Sequence, residues 1–353
     1  MYHSCKESKA VKKYLLPEKG NFYKANLHCH TTISDGQFTP EEVKNAYMSR
    51  GYSIVAYTDH SAFVQHHELT DENFLALGGF EVQIYDLTWS HSRTRKTAHI
   101  CSIALEPETV NQPCYHRHWY TPDRVRPLIN YDPQKPDYVQ VYSGDGVTDF
   151  ITRTREEGFF VTYNHPTWSL ESYPEYSGYK NMHAMEICNY SSFAGGFYEY
   201  NPRVYDDLLR LGNRIYCIGA DDNHNEGDMN SPGYGSFGAF TMIKAERLEY
   251  KTVTDALVAG HFYASQGPEI YSLTFEDGEI HIVTSPATKI TMESGARYAG
   301  ARYATKDSGM ITEATFAVVP DCDYVRFTVF DERGRAANTN AYFVDELFCE
   351  TEE

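Results

Sequence analysis

Short apolar runs that end in polar or metal-type side chains recur along the first two-thirds of the 353-residue chain, and this rhythm limits the possible folds. Helix-like stretches precede several of the runs, and alternation of helices with continuous apolar strands is typical of a parallel sheet. Seven such strands in one domain favour a barrel of the (β/α) type, and an open doubly wound sheet is the alternative. The runs are Asn26–His30, Ile54–His60, Phe80–Asp86, His99–Leu105, Phe159–His165, Ala184–Asn189 and Tyr216–Asp222.

Helix boundaries support this alternation. Thr39-Pro40-Glu41-Glu42 has an N-cap residue, a proline at the first helical position and acidic side chains in the first turn. Further helices are predicted over Val147–Glu157 and Pro202–Leu211, each followed by a glycine that ends it just before a strand.

Two segments depart from the rhythm. Glu106–Ser143 is too long for an ordinary loop and is predicted to be an excursion over a site, and Asn223–Gly238 is also loop-like. After Gly267 the chain reads as antiparallel strands, with a hairpin signal at Asp277-Gly278. The prediction is an α/β chain: a distorted (β/α)7 barrel in a domain of residues 1–267, then a small C-terminal antiparallel β-sandwich over residues 268–353.

The composition limits the possible binding partners and the cellular compartment of the protein. The formal charge of −18 repels nucleic acid and anionic membranes, so neither is expected as a general partner. The eight cysteines form no C-x-x-C pair and read as reduced thiols. No apolar run approaches the roughly 18 residues of a membrane span, and residues 1–20 lack the apolar core of a signal peptide. We expect a cytoplasmic protein.

Metal-type side chains collect at the ends of the predicted strands. His28 and His30 lie on one face of the first strand because side chains alternate with a period of two. Of the 15 histidines, six lie at strand ends, where a βα-barrel gathers its active site. Each piece is ordinary alone, but chance rarely places such side chains on six of seven strands. The further candidates are Asp35, His60, Glu81, His99, His165, Asp222 and His224.

The order of these motifs resembles the PHP (polymerase and histidinol phosphatase) superfamily of metal-dependent phosphoesterases. The matching segments read NLHCHTTISDG, TPEEV, AYTDH, GFEV, a single histidine, NHP and ADDNH, over roughly residues 20–267. The resemblance is most specific up to His60. It is weakest at the histidine of the fourth strand, where His91 competes with His99.

The resemblance implies three metal positions, with two to three divalent ions in all. His28, His30, Glu81 and Asp222 would hold the first ion. Glu81 would bridge to the second, which His99 and His165 complete. Asp35, His60 and His224 would hold the third. The motif aligns Asp222 rather than Asp221 as the ligand, and the role of Asp221 stays open.

The ligand chemistry agrees with this interpretation. Imidazole and carboxylate donors without thiolate suit Zn, Mn or Fe. Three carboxylates offset half the charge of three divalent ions, so a small phosphorylated substrate would be attracted to the site. Two ions about 3.5–4 Å apart lower the pKa of a bridging water, so the nucleophile would be a metal-bridging hydroxide, with no protein nucleophile. Arg93, Arg95 and Arg117 are candidates for phosphate contacts.

The predicted function is a metal-dependent phosphoesterase that hydrolyses a small soluble phosphoester. Two alternatives stay open. One is a metal-dependent hydrolase of another bond such as an amide, because related ligand sets on barrels serve both reactions. The other is a non-catalytic, metal-bound binding module. Since no P-loop, G-x-S-x-G or G-x-G-x-x-G motif occurs, nucleotide-triphosphate, serine-hydrolase and dinucleotide chemistry are disfavoured.

Overall fold

The computed structural model describes residues 12–231 and 233–349, which form two compact units. The large unit comprises residues 19–267 together with residues 338–340. The small unit comprises the described parts of 1–18, 268–337 and 341–353. In this described part of the chain, no helix has the length and apolarity needed to cross a membrane. Cys5 and most of residues 1–20, for which the sequence predicts no signal peptide, lie outside the described residues.

The strands, in chain order, are β1 (Lys13–Tyr14), β2 (Asn21–Asn26), β3 (Ile54–Tyr57), β4 (Leu75–Tyr85), β5 (Thr97–Ala104), β6 (Phe159–Asn164), β7 (Ala184–Asn189), β8 (Tyr216–Ala220), β9 (Phe240–Ala245), β10 (Phe262–Ser265), β11 (Ile270–Glu276), β12 (Glu279–Ala287), β13 (Lys289–Ser294), β14 (Gly300–Tyr303), β15 (Ile311–Ala317), β16 (Tyr324–Phe330), β17 (Ala336–Thr339) and β18 (Tyr342–Phe343). The α-helices are α1 (Pro40–Met48), α2 (Gly144–Glu156), α3 (Tyr173–Tyr176), α4 (Tyr190–Ala194), α5 (Pro202–Arg210), α6 (Tyr250–Val258) and α7 (Val344–Leu347).

Helix α1 begins at Pro40, as the sequence signals predict. Helix α2 begins at Gly144, three residues before the predicted Val147, because the Ser143 hydroxyl caps it by accepting from the Gly146 N–H at 3.0 Å. Thr39 caps α1 with a full capping box: its hydroxyl accepts from the Glu42 N–H, and the Glu42 carboxylate accepts from the Thr39 N–H. Gly158 and Gly212, which follow α2 and α5, have φ angles of 84° and 83°, a left-handed conformation that ends a helix with little strain in glycine.

The large unit contains a mixed sheet with the strand order β10-β9-β2-β3-β4-β5-β6-β7-β8. β2, β3 and β4 are parallel neighbours, as are β6, β7 and β8. β5 runs antiparallel to both β4 and β6, so the prediction of a wholly parallel sheet is wrong at this strand. The reason lies in the connection: residues 86–96 contain no α-helix, and parallel neighbours require a longer crossover.

The mixed α/β class is confirmed, but the paired strands of the described residues do not close into a barrel. The segments that follow β2 and β8 are nevertheless joined by backbone hydrogen bonds. Asp222 N donates to His28 O, and His30 N donates to Asn223 O, each at 3.0 Å. These bonds bring the two segments richest in metal-type side chains next to each other.

The interior of the large unit contains an apolar cluster, and the nine candidate metal ligands are not part of it. This buried cluster contains Ala25, Ile54, Leu77, Phe160 and Ile218 from five strands. The predicted excursion between β5 and α2 contains only a short 3₁₀ segment, Arg126–Leu128, within the part described. It packs beside the chain that follows His60, where the Thr121 hydroxyl donates to Ser61 O at 3.0 Å.

The small unit is antiparallel, as predicted. One sheet has the order β1-β11-β12-β15, and another contains β14, β13 and β16, with β18 paired to β16. Asp277 and Gly278 join β11 to β12 with φ angles of 51° and 78°, the two positive values that a two-residue type I′ hairpin requires. The domain boundary between residues 267 and 268 stays a prediction. The N-terminal strand β1, which is predicted to belong to the first domain, pairs with β11 of the small unit.

Candidate metal centre

All nine predicted metal ligands come together in the large unit. Donor atoms lie within 4.8 Å of one another in three groups that contain only these residues. We call the nine residues the donor cluster. The groups are His30, Asp35, His60 and His224; His28, His165 and Asp222; and Glu81, His99 and His165. His91 lies outside every group in the described chain and is exposed, so the geometry selects His99.

Glu81 is the centre of the donor cluster. Its Oε1 lies 3.2 Å from His28 Nε2, 3.0 Å from His99 Nδ1 and 3.3 Å from His165 Nε2. Its Oε2 lies 2.9 Å from His60 Nδ1. Burial alone would raise the pKa of Glu81, but the surrounding imidazoles, His99 foremost, hold the pKa well below its ordinary value. Glu81 is therefore an anionic side chain that contacts members of all three groups.

Asp222 occupies the equivalent position between the two histidines of the first strand motif. Its Oδ1 lies 3.0 Å from His30 Nε2 and 3.2 Å from His28 Nε2. Although burial opposes ionisation, His28 and its neighbours lower the pKa of Asp222 far below the ordinary value. Asp222 also has a φ of 55°, and His165 has a φ of 25°. Positive φ in residues other than glycine is costly and is concentrated at functional sites.

The third group lies nearest to solvent. The Asp35 side chain is 53% exposed, and its oxygens lie 3.5 Å from His60 Nε2 and 3.5 Å from His224 Nε2. His30 stacks on His224 with ring centroids 4.4 Å apart. Burial, followed by the neighbouring charges of His60 and His224, lowers the pKa of His30 to about 4. A neutral imidazole is the form that binds a metal ion.

The donors fit divalent ions. Glu81 Oε2 and Asp222 Oδ1 are buried, and neither has a hydrogen bond among the described residues, although each has an imidazole nitrogen within 3.0 Å. His99 Nε2 is likewise buried without a partner in the described chain. Buried polar atoms normally have partners. Carboxylate and imidazole atoms that face one another without a hydrogen bond are suitable donors for a divalent metal ion.

A buried carboxylate outside the donor cluster orients two of its histidines. Glu186 Oε1 lies 2.6 Å from His28 Nδ1, and Glu186 Oε2 accepts the His165 N–H at 3.1 Å. A carboxylate on the second ring nitrogen fixes the tautomer of a ligating histidine and raises its basicity. Glu186 thus has the position expected of a partner that supports the ligands.

Two further aspartates hold the loops that carry ligands. Asp59 Oδ1 accepts the N–H groups of Thr31 at 2.8 Å and Ser34 at 3.0 Å, next to Asp35. Asp221 is fully buried and accepts from Tyr47 OH at 2.8 Å and from three consecutive backbone N–H groups. These are Phe237 N at 2.7 Å, Gly238 N at 3.0 Å and Ala239 N at 3.0 Å. Asp221 therefore anchors the loop between β8 and β9 and lies outside the donor cluster.

A cavity of about 470 Å³ opens beside the donor cluster. Much of its wall is formed by residues that the sequence motifs do not mark, and most of these residues lie outside the strands and helices. They are Gln83, Trp168, Ser191, Ser192, Gly195, Phe197, Asn225, Glu226, Gly233 and Gly235. Within the described residues, the lining contains no arginine or lysine.

The three arginines predicted to contact phosphate are not brought to this cavity. Arg117 Nε pairs with Asp137 Oδ1 at 2.8 Å. Arg95 Nε donates to Trp89 O at 3.0 Å, and Arg93 is exposed on a short 3₁₀ segment. Their contact with a phosphate stays a prediction that the geometry of the cavity does not support.

Glu171 is a buried carboxylate that the sequence did not single out. It accepts hydrogen bonds from the hydroxyls of Tyr142 at 2.9 Å and Tyr163 at 2.7 Å, and from Tyr179 OH. Burial raises the pKa of Glu171 to about 7, and the nearby Glu175 charge adds to this, against the three hydroxyl donors. Glu171 therefore stays protonated in the folded chain over a pH range in which the unfolded chain has released this proton.

This proton makes stability depend on pH. From the ordinary pKa of 4.5 to the folded value of about 7, the free energy of unfolding should fall as the pH rises. This pH interval corresponds to a loss of about 3 kcal/mol in the free energy of unfolding. Because the side chain of Glu171→Gln cannot titrate, the free energy of unfolding of the wild type minus that of the variant should decrease by this amount across the interval. Urea unfolding of both proteins, with chelator throughout, measures it. A difference that is constant with pH would contradict the expectation.

No protein-family model and no curated protein matches this chain. Among solved structures, it is similar to a two-domain protein from Bacteroides vulgatus containing a predicted PHP-like metal-dependent phosphoesterase. The identity is 14%, the TM-score is 0.48, and the alignment covers 96% of this chain and 100% of the other. A second is a proposed metal-dependent phosphoesterase from Bifidobacterium adolescentis, with 16% identity, a TM-score of 0.38 and coverage of 61% and 91%. A third is an amidohydrolase from Chromobacterium violaceum with bound sulfate and no metal, with 16% identity, a TM-score of 0.32 and coverage of 57% and 88%. At these values the likenesses carry no information about the substrate.

Proposed function

We propose that the chain is a metal-dependent phosphoesterase of the PHP type that hydrolyses a small soluble phosphoester. The observation that carries the proposal is the convergence of six imidazoles and three carboxylates in one largely buried cluster beside a cavity. Buried charged groups are costly unless they are paired or coordinate a metal. A complete donor cluster of this kind favours an enzyme over a binding module, because a decayed site loses ligands.

The division of the donors among the proposed ions follows the resemblance, whereas the distances also group His30 with Asp35, His60 and His224, and His165 with His28 and Asp222. His28, His30 and Asp222 would hold one ion, and His99 and His165 a second, with Glu81 shared between the two. Asp35, His60 and His224 would hold a third at the mouth of the cavity. Bound ions of this kind supply Lewis acidity and activate a water molecule near neutral pH.

The chain itself supplies orientation. Glu186 fixes the ring of His28 and the backbone of His165. Asp59 and Asp221 hold the two loops that carry Asp35 and His224. Because these carboxylates are committed to protein donors, the ligand geometry is preorganised before a substrate enters, which is how an enzyme avoids reorganisation during the reaction.

Hydrolysis of an amide is the second candidate, and one observation favours it. Since the cavity lining lacks arginine and lysine among the described residues, no protein cation is in place to bind the non-bridging oxygens of a phosphate. A neutral carbonyl substrate needs no such cation. A phosphate would depend on the ions for its neutralisation.

The test is a substrate panel with metal-reconstituted protein. Phosphate release is measured over sugar, nucleoside and aryl phosphoesters, and amine release over small amides, with and without Zn²⁺, Mn²⁺ or Fe²⁺. We expect phosphate release that a chelator abolishes. In ¹⁸O-water, the released phosphate should carry one labelled oxygen, because water attacks phosphorus. Amine release without phosphate release would replace the proposal by the second candidate.

A further inference from the structure

One wall of the cavity beside the donor cluster is aromatic. Trp168 and Phe197 both line it, and each is 41% exposed. The Trp168 ring lies edge-on to two members of the donor cluster: its centroid is 5.2 Å from that of His99 and 5.2 Å from that of His165. A large indole surface therefore lies next to the place where the reacting group would be held.

The backbone of Trp168 is held in place. Glu199, which is fully buried, accepts the Trp168 N–H on Oε2 at 2.7 Å and the Thr167 N–H on Oε1 at 3.2 Å. Asn201 Nδ2 also donates to Glu199 Oε1 at 2.6 Å. A buried carboxylate needs such donors, and here it uses them to fix the segment that follows His165. The indole is thus presented from a rigid support, as a binding surface requires.

The charges of the cavity restrict what can lie on this wall. No arginine or lysine belongs to its described lining, while Glu226 and Asp35 add negative charge at the rim. A second anionic group on the substrate, remote from the ions, would be repelled. An uncharged flat ring would gain contact with the indole, since aromatic pairs are more favourable than their buried area alone implies.

We propose that Trp168 stacks on an uncharged aromatic ring in the leaving group of the substrate. This rests on the function proposed above and narrows it to phosphoesters of uncharged aromatic alcohols. The phosphoryl group would occupy the donor cluster, and the ring attached to it would lie against Trp168. Trp168 is then a specificity residue, whose removal reduces discrimination between rings more than it reduces the chemical step.

The test compares two esters that differ in the flatness of the ring. Benzyl phosphate and cyclohexylmethyl phosphate are similar in size, and both release a primary alcohol. With metal-loaded protein, kcat/KM should favour the benzyl ester, mainly through KM. Trp168→Leu should reduce that preference by about three- to tenfold. Trp168→Phe retains a ring and should keep most of the preference.

Trp119→Leu is the matched control. Trp119 is 54% exposed, stacks on His116 and does not line the cavity, so its loss should leave the preference unchanged. Calorimetric binding of benzylphosphonate and cyclohexylmethylphosphonate provides a readout that is independent of turnover, and Trp168→Leu should reduce the difference in affinity by the same factor.

The outcomes separate the two proposals. If both esters are cleaved equally well, or if Trp168→Leu keeps the preference, the stacking role is overturned and the phosphoesterase proposal stands. If no phosphoester is cleaved, the proposed function fails. The phosphonates then decide the role of Trp168: a difference in affinity that disappears in Trp168→Leu supports it, and equal affinities overturn it.

Discussion

Glu81→Gln should remove at least one bound ion per chain and lower kcat by roughly 10²–10³-fold, with a smaller effect on KM. Glutamine keeps the shape of the side chain but loses the charge that faces His28, His60, His99 and His165. Because Glu81 is shared between proposed ions, its loss disturbs more than one of them. A lost transition-state interaction of about 3–4 kcal/mol gives a rate loss of that size. Contacts of the substrate with the distant cavity wall would survive, so KM should change less.

Elemental analysis of protein purified without chelator, together with steady-state kinetics, measures both effects. Glu171→Gln is the matched control: it is also a buried glutamate, but it is bonded to tyrosine hydroxyls and not to the donor cluster. It should retain the ions. Wild-type metal content and kcat in Glu81→Gln would disprove the central position of Glu81.

Asp221→Asn should lower the free energy of unfolding by about 3–5 kcal/mol. The carboxylate accepts three consecutive N–H groups and the Tyr47 hydroxyl in a fully buried position. An asparagine side chain has one acceptor oxygen, and its amide N–H groups would face donors. At least one buried N–H or O–H group would then lose its partner, and the loop from Asn223 to Gly238 would detach from the sheet.

Urea unfolding of the metal-free proteins measures this effect, because bound ions would add their own stabilisation. Asp228→Asn is the control. Asp228 lies in the same loop, is exposed and accepts the Asn230 N–H at 2.9 Å, so the change should be within about 0.5 kcal/mol. Equal stability of the two variants would show that the buried bonds to Asp221 contribute little.

The direction of β5 shows where local pattern stops being informative. The apolar run from His99 to Leu105 correctly indicates a buried strand, because burial on both faces leaves a continuous apolar stretch. The run does not specify whether its neighbours lie parallel or antiparallel. That depends on the connection from Tyr85 to Thr97, which is too short for a helical crossover.

The wall of the cavity could not be predicted for a similar reason. Trp168, Phe197 and Asn225 lie on loops whose paths depend on contacts between distant residues. Asp221 bonds the loop at Phe237, 16 positions away along the chain, and Glu199 holds Trp168 from 31 positions away. No periodicity records such bonds. The prediction that Arg93, Arg95 and Arg117 contact phosphate depends only on residue type and position along the chain. In the structure, Arg117 pairs with Asp137 instead.

The sequence by itself singled out the nine residues that form the donor cluster. A period of two places His28 and His30 on one face, strand ends collect polar side chains, and the order of the motifs resembles the PHP superfamily. The sequence also determined the hairpin at Asp277-Gly278, since few residue pairs adopt two positive φ angles. Only the tertiary structure decided that Asp221 is an anchor, that His99 rather than His91 joins the donor cluster, and that Trp168 and Phe197, but no arginine or lysine of the described chain, line the cavity. The physical reason is one of range. Side-chain alternation and turn conformation are local properties of the chain, whereas a cavity forms only where segments far apart in sequence are packed and hydrogen-bonded together.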